Sequence, residues 1–460
     1  MQTITDILIG FSNWLWGIPM LIILVGGSLF LTVKLGFVQF KYFPFAMKET
    51  FGKMFKKSED GEGTITAFQA ATSALASTIG ASNIVGVPVA IAFGGAGAVF
   101  WMWIIALIGA GAKISEIILS IKYREKNEED EYVGGPMYYL KKGIQGTLGK
   151  VLGFMFSFFL MIEIAPSIAA QTVSVVQTAG TINIPNWASG LVLVLIVGIV
   201  VFGGIKRIGK VTEKLVPFMA LLYIIGSLTI IIINISELPN AIGLIFKHAF
   251  TPMAAVGGFA GAGIAQAIRW GTARGVYSNE SGMGTAPIAH ASAVTDHPMR
   301  QALWGIFENV VDTLIVCTAT ALIVIVTGIY QIVPADQAAS MPSLAFQTLL
   351  GDGLGGIIVT ISITLFVLST VIVIIYYGEK QAEYLFGTKF SKVMRVIYLA
   401  AIFLGAYGGI EFLYQFLDLL LGLVIIPNMI GLLLLSNEVK DLKNEFFNNP
   451  KYYNKTRVRN

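Results

Sequence analysis

The sequence predicts an all-α polytopic membrane protein, and three observations predict it. Apolar residues make up 55% of the 460 residues and charged residues only 13%, where soluble domains carry about 25% charged. Mean hydropathy is +0.75, and apolar runs of the roughly 20 residues needed to cross a bilayer recur along the whole chain. The 50 glycines suit helices that pack through small residues and break where neighbours shield the backbone.

Eleven spans are expected, near 14–35, 66–91, 97–122, 150–178, 187–204, 213–235, 255–275, 301–328, 354–377, 394–411 and 413–435. They place one transmembrane domain at 1–437 and a polar, solvated cytoplasmic tail at 438–460, with polar connectors at 36–65, 123–149 and 276–300. The first stretch is longer than a signal-peptide core and shows no small-residue cleavage site, so it reads as a retained helix. The single cysteine, Cys317, lies in an apolar run and reads as a packing residue; no intrachain disulfide is open to it.

Cytoplasmic loops carry an excess of Lys and Arg. With the N-terminus outside and the C-terminus inside an inner membrane, eleven spans put every one of the 31 basic residues except Lys247 on the cytoplasmic side. That set includes Lys113 in span three, and Arg269 and Arg274 near the end of span seven. The basic residues form no single patch, which gives no sign of a nucleic-acid partner.

Two spans read as broken helices. Gly80, Ser82, Asn83, Gly86 and Pro88 interrupt span two, and Gly271, Gly275, Asn279, Gly282 and Gly284 crowd the end of span seven. Five spans separate their starts, so the two begin on opposite sides. Spans two to six (66–235) and seven to eleven (255–435) then form a 5+5 inverted repeat, each half led by a broken helix. Span one (14–35) is an additional N-terminal helix.

At this point longer strings become recognisable. STIGASNIVGV followed by GGAGAVFWMWIIALIGAGAKISEIILSIKYR (Gly94 to Arg124) resembles the signature of the alanine or glycine:cation symporter family. AIRWGTARGVYSNESGMGTAPIAHA (Ala267 to Ala291) is similar to that family's second long motif, and VDTLIVCTATALIVIVTG and YYGEKQAEYLFG also look like family segments. The resemblance covers nearly the whole chain. It implies a LeuT-type fold and sodium- or proton-coupled uptake of alanine, glycine or similar amino acids.

A zwitterion needs N–H donors for its carboxylate, carbonyls for its ammonium and an apolar wall. A broken helix supplies the first two, with the positive end of the helix dipole at the anion. Gly80, Ala81, Ser82 and Asn83 have that composition; a glycine-rich packing face would read the same way. Tyr277 holds the place of a family aromatic that packs on substrate, with Ser278 and Asn279 beside it. Gln171 in span four is the counterpart of a polar family cluster. Ser369 and Thr370 in span nine, with Thr78 and carbonyls of the first break, are expected to complete an oxygen shell for co-transported sodium, since hard cations take oxygen ligands. The alternative is that the hydroxyls bond back to their own helix.

Two departures bear on selectivity. The family commonly has Thr-Gly-Asn where this chain has Ala81-Ser82-Asn83, and a tryptophan where it has Ile374. Glu163 is an intramembrane acid, a group that is costly and usually functional; it pairs with a cation, binds a proton, or sits near the outer helix end. Glu308 and Asp312, four apart in span eight, suit structural hydrogen bonding. Glu280 reads as a cytoplasmic surface charge or as part of the second break.

Other classes find little support. His248, His290 and His297 are scattered, and no phosphate-binding loop of the G-x-x-x-x-G-K-[ST] type occurs, so no nucleotide partner is expected. Gly257, Gly258, Gly261 and Gly263 lack the strand context of a dinucleotide site. No acid, base and nucleophile converge, which disfavours an enzyme. A sodium-coupled carrier of small neutral amino acids is the reading, with a proton-coupled carrier of the same fold and a channel as its alternatives.

Overall fold

The computed structural model describes residues 2–52, 54, 61–180, 184–252, 263–407 and 411–453. Helices dominate, and the one sheet among the described residues is a hairpin of Glu125–Lys126 and Tyr132–Val133. In chain order the expected spans are α1 (Gly10–Lys34), α2a (Ala67–Thr78) with α2b (Ser82–Gly94), α3 (Gly97–Tyr123) and α4 (Gly146–Gly180), then α5 (Asn186–Val201) and α6 (Gly204–Ile233). They continue with α7 (Ile264–Asn279), α8 (Pro298–Val326), α9 (Gly355–Phe386), α10 (Thr388–Tyr407) and α11 (Leu417–Leu434).

Among the described residues, eight of these helices are long and apolar enough to cross a bilayer, and the bent pair α2a–α2b makes a ninth. The other two expected spans fall short for different reasons. Helix α5 is apolar but only 16 residues long, and the expected start of α7, with Gly257, Gly258 and Gly261, lies outside the described residues. The chain is an all-helical polytopic membrane protein. Its outer helices carry long exposed apolar rows, such as Phe218, Leu221, Ile225 and Ile232 on α6, as lipid contact requires.

Helix α2a starts on a capping box, in which Thr66 and Gln69 satisfy each other's backbone N–H. It packs on α6 and α9, while α2b packs on α7. Helix α4 lies against α9, α10 and α11, and α3 against α7 and α8. A Cβ on Gly97 would sit 2.1 Å from the His248 carbonyl oxygen. Only glycine therefore lets α3 begin beside Leu238–Phe250, an amphipathic helix between α6 and α7 that hydropathy does not reveal.

Three charge assignments differ from expectation. Lys113 is not at a cytoplasmic end; it lies inside α3, fully buried, paired with Glu308 at 2.9 Å. Arg269 and Arg274 line one cavity with Ser12, Asn13 and Asp418. They therefore lie beside the start of α1, some 33 Å of helix from Lys34. Nor is the tail simply solvated. Ser436–Asn448 forms an amphipathic helix that buries Val439 and Phe446. It docks beside the far ends of α1 and α3, where Lys443 Nζ donates to the Leu35 carbonyl at 3.2 Å and Glu438 pairs with Lys122 at 2.5 Å. Residues 454–460 lie outside the described residues.

Candidate substrate and cation site

Both expected breaks are present, and side chains, most of them from other helices, bond to their freed backbone groups. In α2 the chain leaves helical geometry at Ile79 (ψ 83°) and the halves bend by 47°. Gly80 N–H donates to Asn83 Oδ1 at 3.0 Å, and Ala81 N–H donates to Gln171 Oε1 at 3.2 Å. Ser82–Gly86 then forms a π-helical turn, a feature common at functional sites. In α7 the helix ends at Asn279, and Glu280 takes a left-handed φ of 55°. Glu116 of α3 accepts from Gly284 N–H at 2.9 Å, and Asn428 of α11 donates to the Gly282 carbonyl at 2.9 Å. A half-helix at membrane depth persists only with such partners.

The two breaks touch. Ser77 Oγ, in the last turn of α2a, is 3.2 Å from Glu280 Oε2, and Thr285 Oγ1 donates to the same oxygen at 2.6 Å. Between them lies an inner cavity of ≈ 40 Å³ lined by Ser77, Ser82, Glu163, Gln171, Tyr277, Glu280, Thr370, Ile374 and Tyr377, among others. One water needs about 10–15 Å³ by this measure, so the chamber suits an ion or a small head group. A second cavity of ≈ 290 Å³ adjoins it, sharing Ser82, Gln171 and Tyr277, and is also lined by Ala81, Arg274 and Asp418. A third, of ≈ 140 Å³, shares Arg274 and Asp418 and reaches Ser12, Asn13 and Trp16. Together they trace a path from the α1 start towards the breaks.

On the opposite face, contacts through Arg124 hold the Glu62–Ile65 stretch against residues 291–295. Arg124 donates to the carbonyls of Ala291 and Ala293, at 3.1 and 2.7 Å, and to that of Glu62 at 2.6 Å. Short bridges join Glu62 to Thr295 and Ile65 to Ala293.

The expected site residues divide into three groups. Ala81, Ser82, Gln171, Tyr277 and Ile374 line the cavities. Gly80 lies at the break itself, where an added Cβ would meet Thr370 Oγ1 at 2.6 Å and Gln171 Nε2 at 3.4 Å. Asn83, Ser278 and Asn279 are fully buried behind the cavity. Asn83 Nδ2 donates to Ser278 Oγ and Asp312 Oδ1, and Asn279 Nδ2 to Thr313 Oγ1 at 3.3 Å. These three support the breaks rather than line the cavities.

The expected cation ligands also separate. Thr370 Oγ1 lies 2.9 Å from both the Ala76 and Phe366 carbonyl oxygens. One hydroxyl hydrogen serves only one of them, so three oxygens converge where α9 meets α2a. Ser369 instead bonds to Phe366 O at 2.8 Å and faces Met219 sulfur at 3.3 Å. Thr78 bonds back to Leu75 O at 3.2 Å.

Glu163, Glu280 and Tyr377 also line the inner cavity. The cost of an acid in an apolar helix signalled Glu163. Glu280, beside a glycine-rich stretch, reads equally well as a surface charge, and only the left-handed cap turns it inward. Charge is sorted along the path: the inner chamber holds two acids and no base, and Arg274 appears only in the cavities farther out.

A helical bundle whose two discontinuous helices flank a mid-bundle cavity defines a LeuT-type membrane transporter. Solved structures agree on the fold. MhsT in complex with L-phenylalanine aligns at a TM-score of 0.55 and 13% identity, over 82% of this chain and 90% of that one. A Na+-coupled sialic acid symporter aligns at 0.53 and 12%, over 90% and 87%. The chain belongs to the sodium:alanine symporter family, whose model matches residues 1–460. It is 51% identical to the uncharacterized transporter YflA of Bacillus subtilis, over 96% of this chain and 93% of that protein. Identity to the sodium/alanine symporter AgcS of Methanococcus maripaludis is 43%, over 93% and 94%. A probable sodium/glutamine symporter, GlnT of Bacillus subtilis, is 34% identical over 95% and 90%. The chain is thus a multi-pass transporter of a sodium-coupled amino-acid symport family, not an enzyme.

Proposed function

We propose that this protein imports small neutral amino acids together with sodium, by alternating access across an inner membrane. The observation that carries the reading is the meeting of two helix breaks, Ser77 against Glu280, beside a cavity lined by the start of α2b. The substrate carboxylate takes the N–H groups at Ala81 and Ser82, where the half-helix dipole is positive. Gln171 Oε1, which accepts from Ala81 N–H in this structure, yields that donor to the ligand. The ammonium points inward towards Glu163 and Glu280, and Ile374 and Tyr277 wall the side chain. Sodium sits against Thr370 Oγ1 and the Ala76 carbonyl.

In this reading α2–α6 and α7–α11 are two halves of opposite orientation, and rocking of one bundle against the other parts the contacts through Arg124. The N-terminus faces outside and the docked tail faces the cytoplasm. The remaining asymmetry of Lys and Arg supports this, as does the position of the tail helix on the face opposite Ser12. The names of two relatives, a sodium/alanine symporter and a probable sodium/glutamine symporter, support the substrate class. Competition by a panel of amino acids against labelled alanine in proteoliposomes tests it. Inhibition by small neutral members and none by charged ones is expected; the reverse order overturns it.

A further inference from the structure

We infer that Glu163 holds a proton when the inner cavity is empty and gives it up when the substrate ammonium arrives, so that substrate binding is linked to proton release. The inference rests on the reading of the cavity as the amino-acid site. Glu163 sits midway along the 35-residue α4, is only 3% exposed and lines the inner cavity. Ser167, a turn further along the same helix, lines the same cavity. Glu280 across the cavity is better provided for, with two hydroxyls at one oxygen.

Among the described residues, the lining around Glu163 contains acids and phenols and no base. Tyr277 and Glu280 face it from α7 and its cap, and Tyr377 from α9. Helix α10 contributes Tyr398, whose hydroxyl donates to the Met161 carbonyl at 2.7 Å. Helix α11 contributes Asp418, which lines the adjoining cavity with Arg274. Helix α5 has no titratable residue. Helix Pro136–Gly143 brings Lys141 only as far as Gly153, near the other end of α4.

An ionised carboxylate at this depth, beside a second acid, is disfavoured unless a cation joins it. In the empty cavity the proton is that cation. An incoming zwitterion, held by its carboxylate at α2b, brings its own ammonium to the same place. The O–H bond of Glu163 then breaks, the carboxylate pairs with the ammonium, and the proton passes to water in the adjoining cavity. Linkage is reciprocal, so acid must weaken substrate binding. Where one proton leaves per substrate bound, the change approaches about tenfold in affinity per pH unit.

The test is alanine uptake by proteoliposomes at fixed saturating sodium, with KM measured between about pH 5 and 8. The wild type is expected to show KM rising on the acid side. Glu163→Gln is expected to raise KM and flatten its pH dependence, and Glu163→Asp to keep a dependence with a shifted midpoint. In weakly buffered detergent solution, alanine releases protons from the wild type and not from Glu163→Gln. Matching pH profiles in wild type and Glu163→Gln overturn the inference while leaving the transport reading intact. If Glu163→Gln does not fold, Glu163→Asp with the wild-type midpoint, or no proton release from the wild type, overturns it equally. A wild type that takes up no small neutral amino acid overturns the transport reading itself, and this inference with it.

Discussion

Asn83 Nδ2 lies 2.6 Å from Asp312 Oδ1, which ties the break of α2 to the π-helical stretch Val310–Cys317 of α8. The same amide nitrogen is 2.9 Å from Ser278 Oγ, and Ser278 donates to the other Asp312 oxygen at 2.8 Å. One carboxylate therefore holds both broken helices in register from behind the cavity.

Asn83→Ala is expected to lower the maximal rate of uptake more than it changes KM for substrate, because the side chain braces the break without lining the cavity. A buried hydrogen bond to a charged group contributes about 1.5–3 kcal/mol, which corresponds to a loss of roughly ten- to hundredfold. Proteoliposome kinetics on protein that elutes normally in gel filtration measure it. Near-normal transport at saturating sodium would show that the brace is dispensable.

Thr370→Val keeps the side-chain shape and deletes the hydroxyl beside the Ala76 carbonyl. It should raise the sodium concentration for half-maximal uptake by about tenfold, equivalent to about 1.4 kcal/mol. Ser369→Ala should shift it far less, since Ser369 faces Met219. Equal shifts for both, or none for Thr370→Val, remove Thr370 from the sodium shell.

Ile374 lines the inner cavity opposite α2. The family resemblance read from the sequence implies a tryptophan at this position; against that expectation an isoleucine favours a larger substrate side chain, each buried methylene contributing about 0.8 kcal/mol. Ile374→Trp should narrow the accepted range towards alanine and glycine. Competition assays on both proteins decide; a wild type that already excludes everything larger than alanine refutes the argument.

Lys113 and Glu308 form a fully buried pair at 2.9 Å. Lys113 also donates to the Asn279 carbonyl at 2.9 Å, where α7 ends, and His290 bonds to the second Glu308 oxygen at 2.7 Å. Removing one member strands the other charge, at a cost of about 3–5 kcal/mol. Lys113→Met should lower the thermal unfolding temperature in detergent markedly, and Lys113→Met with Glu308→Gln should recover part of the loss. A double variant no more stable than the single one argues against the pairing.

What the sequence made legible follows from the range of each physical signal. Hydropathy finds long apolar helices, and a cluster of Gly, Ser, Asn and Pro at 80–88 marks a break that the structure places at Ile79–Gly80. Gln171, Tyr277 and Ile374, singled out from the sequence, line the inner cavity. Lys113 misled because a count of basic residues treats every lysine as a loop charge, and its partner Glu308 is 195 residues away. Arg269 and Arg274 misled because α7 continues to Asn279, which leaves both within the helix. Glu280 turns inward through a backbone angle that no composition encodes. Ser369 and Thr370 are neighbours in sequence but about 100° apart around a helix, so only Thr370 reaches α2.

The central claim is sodium-coupled amino-acid transport, and concentrative uptake tests it most directly. Purified protein in proteoliposomes is given labelled alanine with an inward sodium gradient, and in parallel with choline replacing sodium. The account predicts uptake that overshoots equilibrium only with the sodium gradient, saturates with substrate and shows counterflow. Uptake that is equal in choline, or that rises linearly without saturation or counterflow, contradicts it.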